Sequence, residues 1–291
     1  AGRLLALYLA LTAACAAGYV YGGMTPAGAL AHAFSTVSAG GFSTYARSFD
    51  GSTGAVIDWV AVLFMFLSGV SFALQFRAWS GRPRLFLRDP ELRAYTAIFL
   101  VAGTALTLLL LDSYGFADAL RHGFFQSISV LTTTGFASAD FNGWSERSQS
   151  ILVGLMLVGG SAGSAAGGIK VIRWLLLLRH SAREVRRALH PRGVFPVRLG
   201  NRAVPEEVMR SVAAFITLYV LLALFGTMVL IAFGSDFTTA LTASLAATGN
   251  VGPGLGGVGP MLDYGSLHPV SRLVLIFQML AGRLEVVTVF V

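Results

Sequence analysis

Apolar residues in this chain do not alternate with polar ones. They gather in long blocks, at 4–20, 55–76, 95–111, 151–178, 212–233 and 270–291. A helix needs about 20 consecutive apolar residues to cross a bilayer, so the pattern predicts six crossings. Between paired blocks lie stretches of about three helical turns, at roughly 26–37, 117–131 and 237–247. Each runs into a loop of small, polar and glycine residues: FSTVSAGGFST (34–44), ISVLTTTGFAS (128–138) and LAATGNVGPGL (245–255). The unit is therefore span, half-helix, loop, span, and it occurs three times.

Composition narrows the class. The 291 residues are 55% hydrophobic and 12% charged, with a mean hydropathy of +0.71. Soluble domains carry about 25% charged residues, so a water-facing surface is excluded and membrane lipid is the expected surrounding. The net charge of +7 is concentrated. Arginines 77, 82, 84, 88 and 93 form one basic segment, and ten of the 21 Lys+Arg lie between Lys170 and Arg210. Short basic loops beside spans mark the cytoplasmic side, which puts both ends of the chain there and argues against nucleic acid as a partner. The single cysteine, Cys15, excludes an internal disulfide. The first apolar block has the length of a signal peptide, but it leads into a full repeat and reads as a true span. The missing initiator Met and the apolar C-terminus suggest a fragment of a longer chain.

Anchoring the loops on Gly41, Gly135 and Gly252 aligns Ser35 with Ser129 and Ser38 with Thr132. All three units start inside, which argues against inverted transporter repeats. Non-helical backbone at membrane depth is tolerated only where it is buried in protein or lines a water-filled cavity. A half-helix presents the negative end of its dipole at its C-terminus, and that favours a cation. Glycines let carbonyl oxygens turn toward a common axis, where they can replace an ion's hydration shell. Thr132, Thr133 and Thr134 could add oxygens, and Phe136 could pack the loop on the scaffold.

Two further features stand out. Five glycines (Gly159, Gly160, Gly163, Gly167, Gly168) fall within 159–168, each costing a helix about 1 kcal/mol relative to alanine. A break is predicted there, with close small-residue helix packing as the alternative. Its look of a phosphate loop fails, because no Ser or Thr follows Lys170 and no strand precedes it. Arg283 is a charge inside an apolar block, which usually faces a cavity or a partner. Pairing with Glu285 is the alternative, though positions two apart lie on different helix faces. The five histidines (32, 122, 180, 190, 268) show no metal-ligand spacing, and no catalytic constellation is present. An enzyme is not expected, nor a bound cofactor.

The stretches STVSAGGFST, LTTTGFASADFNGW, GGSAGSAAGGIKVIR and NVGPGLG, supported by FMFLSGVSFALQF and AGRLE, resemble the Trk/Ktr/HKT superfamily of potassium transporters. The resemblance implies an all-α integral membrane protein with four helix–pore loop–helix units around a central ion pathway. This chain matches the second (1–78), third (94–180) and fourth (209–291), joined by basic loops 79–93 and 181–208, and the first is absent. It implies an ion-selectivity filter made by Ser38, Ala39, Gly40 and Gly41, by Thr132 to Gly135, and by Asn250, Val251 and Gly252, with K⁺ at the carbonyls. The adjacent Gly40 and Gly41 leave a one-residue ambiguity. It makes 159–168 a gating loop beneath the filter, with Arg283 beside it. Lys170 belongs either to that gate or simply to the basic flank. K⁺ uptake across the cytoplasmic membrane, a homodimer and a cytosolic nucleotide-binding regulatory subunit of RCK/KTN type are implied with it. The alternatives are a Na⁺-permeable or Na⁺/H⁺-coupled transporter of the same fold, and a non-conducting membrane scaffold.

Overall fold

A computed structural model describes residues 2–49, 54–81, 83–190, 193, 195–200 and 202–284. The end of the expected last block (285–291, with Glu285), and Arg82 and Arg192 of the basic loops, lie outside the described residues. The chain is helical nearly throughout: α1 (Gly2–Tyr21), α2 (Pro26–Val37), α3 (Ala55–Ser68), α4 (Phe72–Trp79), α5 (Pro83–Arg88), α6 (Pro90–Leu131), α7 (Glu146–Met156), α8 (Val171–Leu189), α9 (Glu206–Ala232), α10 (Phe237–Gly249) and α11 (Pro269–Arg283). Its only strands among the described residues, β1 (Arg198–Leu199) and β2 (Arg202–Ala203), form a two-rung antiparallel ladder in the basic linker.

The helices start where the chemistry of caps places them. Thr25 accepts from the Gly28 N–H ahead of Pro26, Asp89 from Leu92 N–H ahead of Pro90, and Asp236 from Thr239 N–H. Each side-chain oxygen satisfies a donor that the first turn leaves unpaired, and proline in the first turn has no donor to lose. Gly115 (φ 70°, ψ 170°) interrupts α6, separating a long span from the second half-helix.

Among the described residues, three helices are long and apolar enough to cross a membrane, in α1, α6 and α9. Three of the six expected crossings are thus met by one helix each, and the bent pair α3–α4 makes up to a fourth. The block 55–76 is two helices, α3 and α4, bent by 97° at residues 69–71. The block 151–178 divides into α7 and α8 around the glycine-rich loop, as its glycines led us to expect. The last block has 15 described helical residues in α11.

Packing follows the units. In each, two long elements flank a half-helix: α2 lies against α1 and α3, and α10 against α9 and α11. Large apolar side chains sit on the outside, among them Val101, Leu108, Leu221 and Met228. Polar residues collect inside: Gln126, Ser129, Thr132, Ser244, Thr248 and Gln278 are all fully buried. This inversion of the soluble pattern suits a hydrocarbon surrounding, where buried polar groups must bond to one another. Gln278 of α11 illustrates it, donating to Leu222 O (2.6 Å) of α9 and Ser244 Oγ (2.9 Å) of α10. Sequence reading did not single it out.

Candidate functional site

The three polar loops leave their half-helices in the same way. Ala39, Thr133 and Asn250 each take a left-handed backbone, with φ of 53°, 55° and 56°. Their N–H groups bond three residues back, to Thr36, Val130 and Ala247 (3.0–3.2 Å). The next N–H, of Gly40, Thr134 and Val251, reaches five residues back to Ser35, Ser129 and Ala246 (2.7–2.9 Å). These bonds satisfy carbonyls that the helix end leaves open. The next residue is Gly41, Gly135 or Gly252, at φ of 71°, 83° and 104°. Equal offsets at all three loops make Gly41, rather than Gly40, the geometric counterpart of Gly135 and Gly252.

The loops also touch head to tail. A Cβ on Gly41 would overlap the carbonyl oxygen of Thr134, and one on Gly135 would overlap that of Val251. A Cβ on Gly252 would meet nothing within 4 Å. The residues following Gly135 and Gly252 pack backward: Phe136 lies 4.7 Å from the Phe49 ring, and Pro253 lies against Gly135. Phe42, in the corresponding place of the first loop, is 82% exposed. Both open edges, Phe42 and Gly252, line the same cavity of about 680 Å³, together with Ser38, Thr134 and Arg283.

Side chains brace this backbone. The Thr132 and Thr134 hydroxyls bond each other (2.7 Å), Thr132 also donates to Ile128 O, and Thr133 Oγ1 accepts from Gly167 N–H (2.6 Å). The threonine hydroxyls are thus held by the scaffold, which leaves the backbone carbonyls as the available oxygens. Ser129 Oγ donates to Phe136 O (2.6 Å), and Phe136 is fully buried. His32 bonds Gly28 O and Ser43 Oγ, and His122 bonds Ser138 Oγ, so each ties a half-helix to its own loop.

Below the second loop lies the glycine-rich segment 159–168. Its neck closes where Gly159 and Gly168 meet: a Cβ on Gly168 would come within 2.9 Å of Gly159 Cα, and both glycines have positive φ. Gly167 nears Gly249 O, under the third half-helix. Gly160 accepts from Val171 N–H (3.0 Å), and Gly163 accepts from Phe72 N–H (3.0 Å). The bend between α3 and α4 receives the other face of the segment, where Ser161 N–H donates to Gly69 O (2.9 Å) and Ala165 N–H to Ser68 O (3.1 Å). Arg283 Nη1 donates to Ala165 O (3.2 Å), while Lys170 folds back onto Ala166 O. The structure thus brings Arg283 and all five glycines to one place. Sequence reading missed the bend, although the adjacent Ser68-Gly69 and the buried Gln75, which donates to Leu67 O and Val70 O, are its local signs. It also missed Glu91.

A helical membrane protein with three half-helices ending in like-built glycine loops around one cavity, over a glycine-rich segment, has the architecture of an ion-translocating protein. Residues 5–291 match the TrkH family, described as cation transport protein, and the chain belongs to that family. It is 38% identical, over 98% of its length and 60% of the relative's, to the Trk system potassium uptake protein TrkH of Vibrio parahaemolyticus. It is 39% identical to TrkH of Halomonas elongata, covering 98% of this chain and 59% of the relative. The crystal structure of the potassium transporter TrkH from Vibrio parahaemolyticus superposes with a TM-score of 0.92 at 38% identity, covering 99% of this chain and 62% of that one. The chain therefore spans about 60% of the length of the relatives it matches.

Proposed function

We infer that this chain forms three quarters of a K⁺ pathway in the inner membrane, and that the complete protein takes up K⁺. The observation that carries the reading is the head-to-tail stacking of Gly41 on Thr134 and of Gly135 on Val251. Backbone carbonyls so arranged, at the negative ends of three half-helices, suit a dehydrated monovalent cation. The carbonyl-bearing residues are 38–41, 132–135 and 250–252. A fourth segment, between the open edges at Phe42 and Gly252, completes the ring. Segment 159–168, with Arg283 and Lys170, is the gate beneath it.

The units are 1–78, 94–180 and 209–291. Both termini of the segment are cytoplasmic, in keeping with the basic loops 79–93 and 181–208. The protein works as a homodimer with a cytosolic nucleotide-binding subunit, for which those basic loops are the docking surface. No cofactor is required beyond the transported ion.

The test is K⁺ uptake by the full-length protein in a cell that lacks its own K⁺ uptake, with Na⁺ as competitor and Gly135→Asp as control. Uptake should be K⁺-preferring and should collapse in the variant. Undiminished uptake with Gly135→Asp would remove the filter assignment.

A further inference from the structure

At its cytoplasmic start α6 carries a carboxylate that points into the protein. Glu91 is 9% exposed, and its Oε1 accepts two backbone N–H bonds, from Ala162 (2.7 Å) and from Ile172 (3.2 Å). Ala162 lies in the first half of the glycine-rich segment, and Ile172 lies in the first turn of α8, just beyond it. One oxygen atom therefore joins the first half of the segment to the start of the helix that follows it.

Capping of α6 itself does not account for this arrangement, and the bond from Ile172 instead serves the start of α8, whose own N-cap residue Lys170 makes no side-chain cap. Asp89 already caps α6, accepting from Leu92 N–H at 2.9 Å. An acidic residue in a first turn suits the helix dipole, but one serving the dipole alone is free to face water. Glu91 instead turns inward to donors on another element. Hydrogen bonds to an ionised acceptor are roughly twice as strong as neutral ones. Removing the acceptor leaves both part-buried bonds unmade and takes this partner from the two N–H groups.

Beside Glu91 is a cavity of about 240 Å³, also lined by Ser71, Arg77, Asp89 and Ser161. The Ser161 hydroxyl, next in sequence to Ala162, is buried and has no hydrogen-bond partner among the described residues. At this limb the segment is thus held from α6 through its backbone and not through the neighbouring side chain.

We propose that Glu91 is the latch of segment 159–168: a positioning residue that pins the first half of the gate to the start of α8 from the cytoplasmic side and lets go when the pathway opens. The proposal rests on the ion-pathway reading above. Glu91 contacts the gate and none of the three polar loops, so it sets how much ion passes and leaves ion preference alone.

The experiment uses the full-length protein in proteoliposomes, with Glu91→Ala and Glu91→Gln. K⁺ flux and K⁺-to-Na⁺ preference are measured. In parallel, Ser161→Cys is introduced in a background without other reactive cysteines, and its modification by a membrane-impermeant thiol reagent from the cytoplasmic face is timed. Glu91→Ala should raise both resting flux and labelling rate by about tenfold, the scale set by losing charged hydrogen bonds, with preference unchanged. Glu91→Gln keeps an acceptor oxygen for the same two N–H groups and should restore most of the closure. A correctly assembled Glu91→Ala protein with wild-type flux and labelling overturns the latch, as does a shift in ion preference. Faster labelling in Glu91→Ala, in a protein whose wild type passes no K⁺, would sink the transport reading and leave the latch standing.

Discussion

Gly135 packs directly against the carbonyl of Val251, so that a methyl group at position 135 would overlap the oxygen. The same holds between Gly41 and Thr134. These contacts set the spacing of neighbouring loops, and they require a residue without Cβ at positive φ. Gly135→Ala adds about 1–2 kcal/mol of backbone strain and pushes the third loop outward. K⁺ uptake should fall at least tenfold, with Na⁺ competing better. Gly23→Ala is the matched control: its φ is +102°, with open space around the added methyl, and it should keep its uptake.

Arg283 reaches across from α11 to Ala165 O in the glycine-rich segment. Arg283→Ala removes this bond and a charge lining the 680 Å³ cavity. Resting K⁺ flux in proteoliposomes should rise severalfold, with Arg283→Lys intermediate because lysine keeps the charge without the planar fork. Flux equal to wild type would take Arg283 out of the gate.

Gly69 sits at the bend between α3 and α4, where a Cβ would overlap the Tyr95 hydroxyl and lie 2.7 Å from Thr132 Cγ2. Gly69→Ala should destabilise the protein by about 1–3 kcal/mol through overpacking. Tyr95→Phe removes the clashing oxygen but forfeits its bond to Phe66 O (3.1 Å). The double variant should therefore be more stable than the sum of the singles, read as thermal unfolding in detergent. Simple additivity would mean that the two positions do not meet.

Gln278 joins α9, α10 and α11 through buried hydrogen bonds. Such bonds between membrane helices average about 0.6 kcal/mol and reach about 1.7. Gln278→Leu should lower thermal stability within that range while leaving ion preference intact. A change of preference would place Gln278 in the pathway.

Asp236 caps α10, and its bonds to the Thr239 side chain and N–H hold its carboxyl below the ordinary carboxylate range. A depressed folded pKa gives stability that is present above the unfolded value and lost as pH falls through the folded one. Asp236→Ala should cost about 0.5–1 kcal/mol near neutral pH. Thermal unfolding across pH should show the gap between wild type and variant closing in acid, and a gap that persists there would exclude the carboxylate as its source.

The half-helices were legible because their signs are local: each fills a short interval between two apolar blocks and ends in a polar glycine loop. Segment 159–168 was legible for the same reason, since glycines at that density do not sustain a helix. The bend at Gly69 escaped notice because 55–76 is predominantly apolar, and one serine–glycine step does not break such a pattern. Glu91 escaped because a glutamate two residues after a cap looks like routine first-turn chemistry. Its partners are 71 and 81 residues away.

By itself the sequence determined the class, the short helices that run into polar glycine loops and the break at the glycine-rich segment. Hydropathy, glycine and capping act within a few residues and are written in order along the chain. Only the tertiary structure decided what those loops touch: Gly135 on Val251, Gly41 on Thr134, segment 159–168 against the bend at Gly69, and Glu91 between Ala162 and Ile172. The first three are contacts between backbone atoms far apart in sequence, and the last sets one side-chain oxygen against two distant backbone N–H groups. No side-chain pattern encodes them, because a carbonyl or an N–H is the same at every residue and only the fold selects which ones meet.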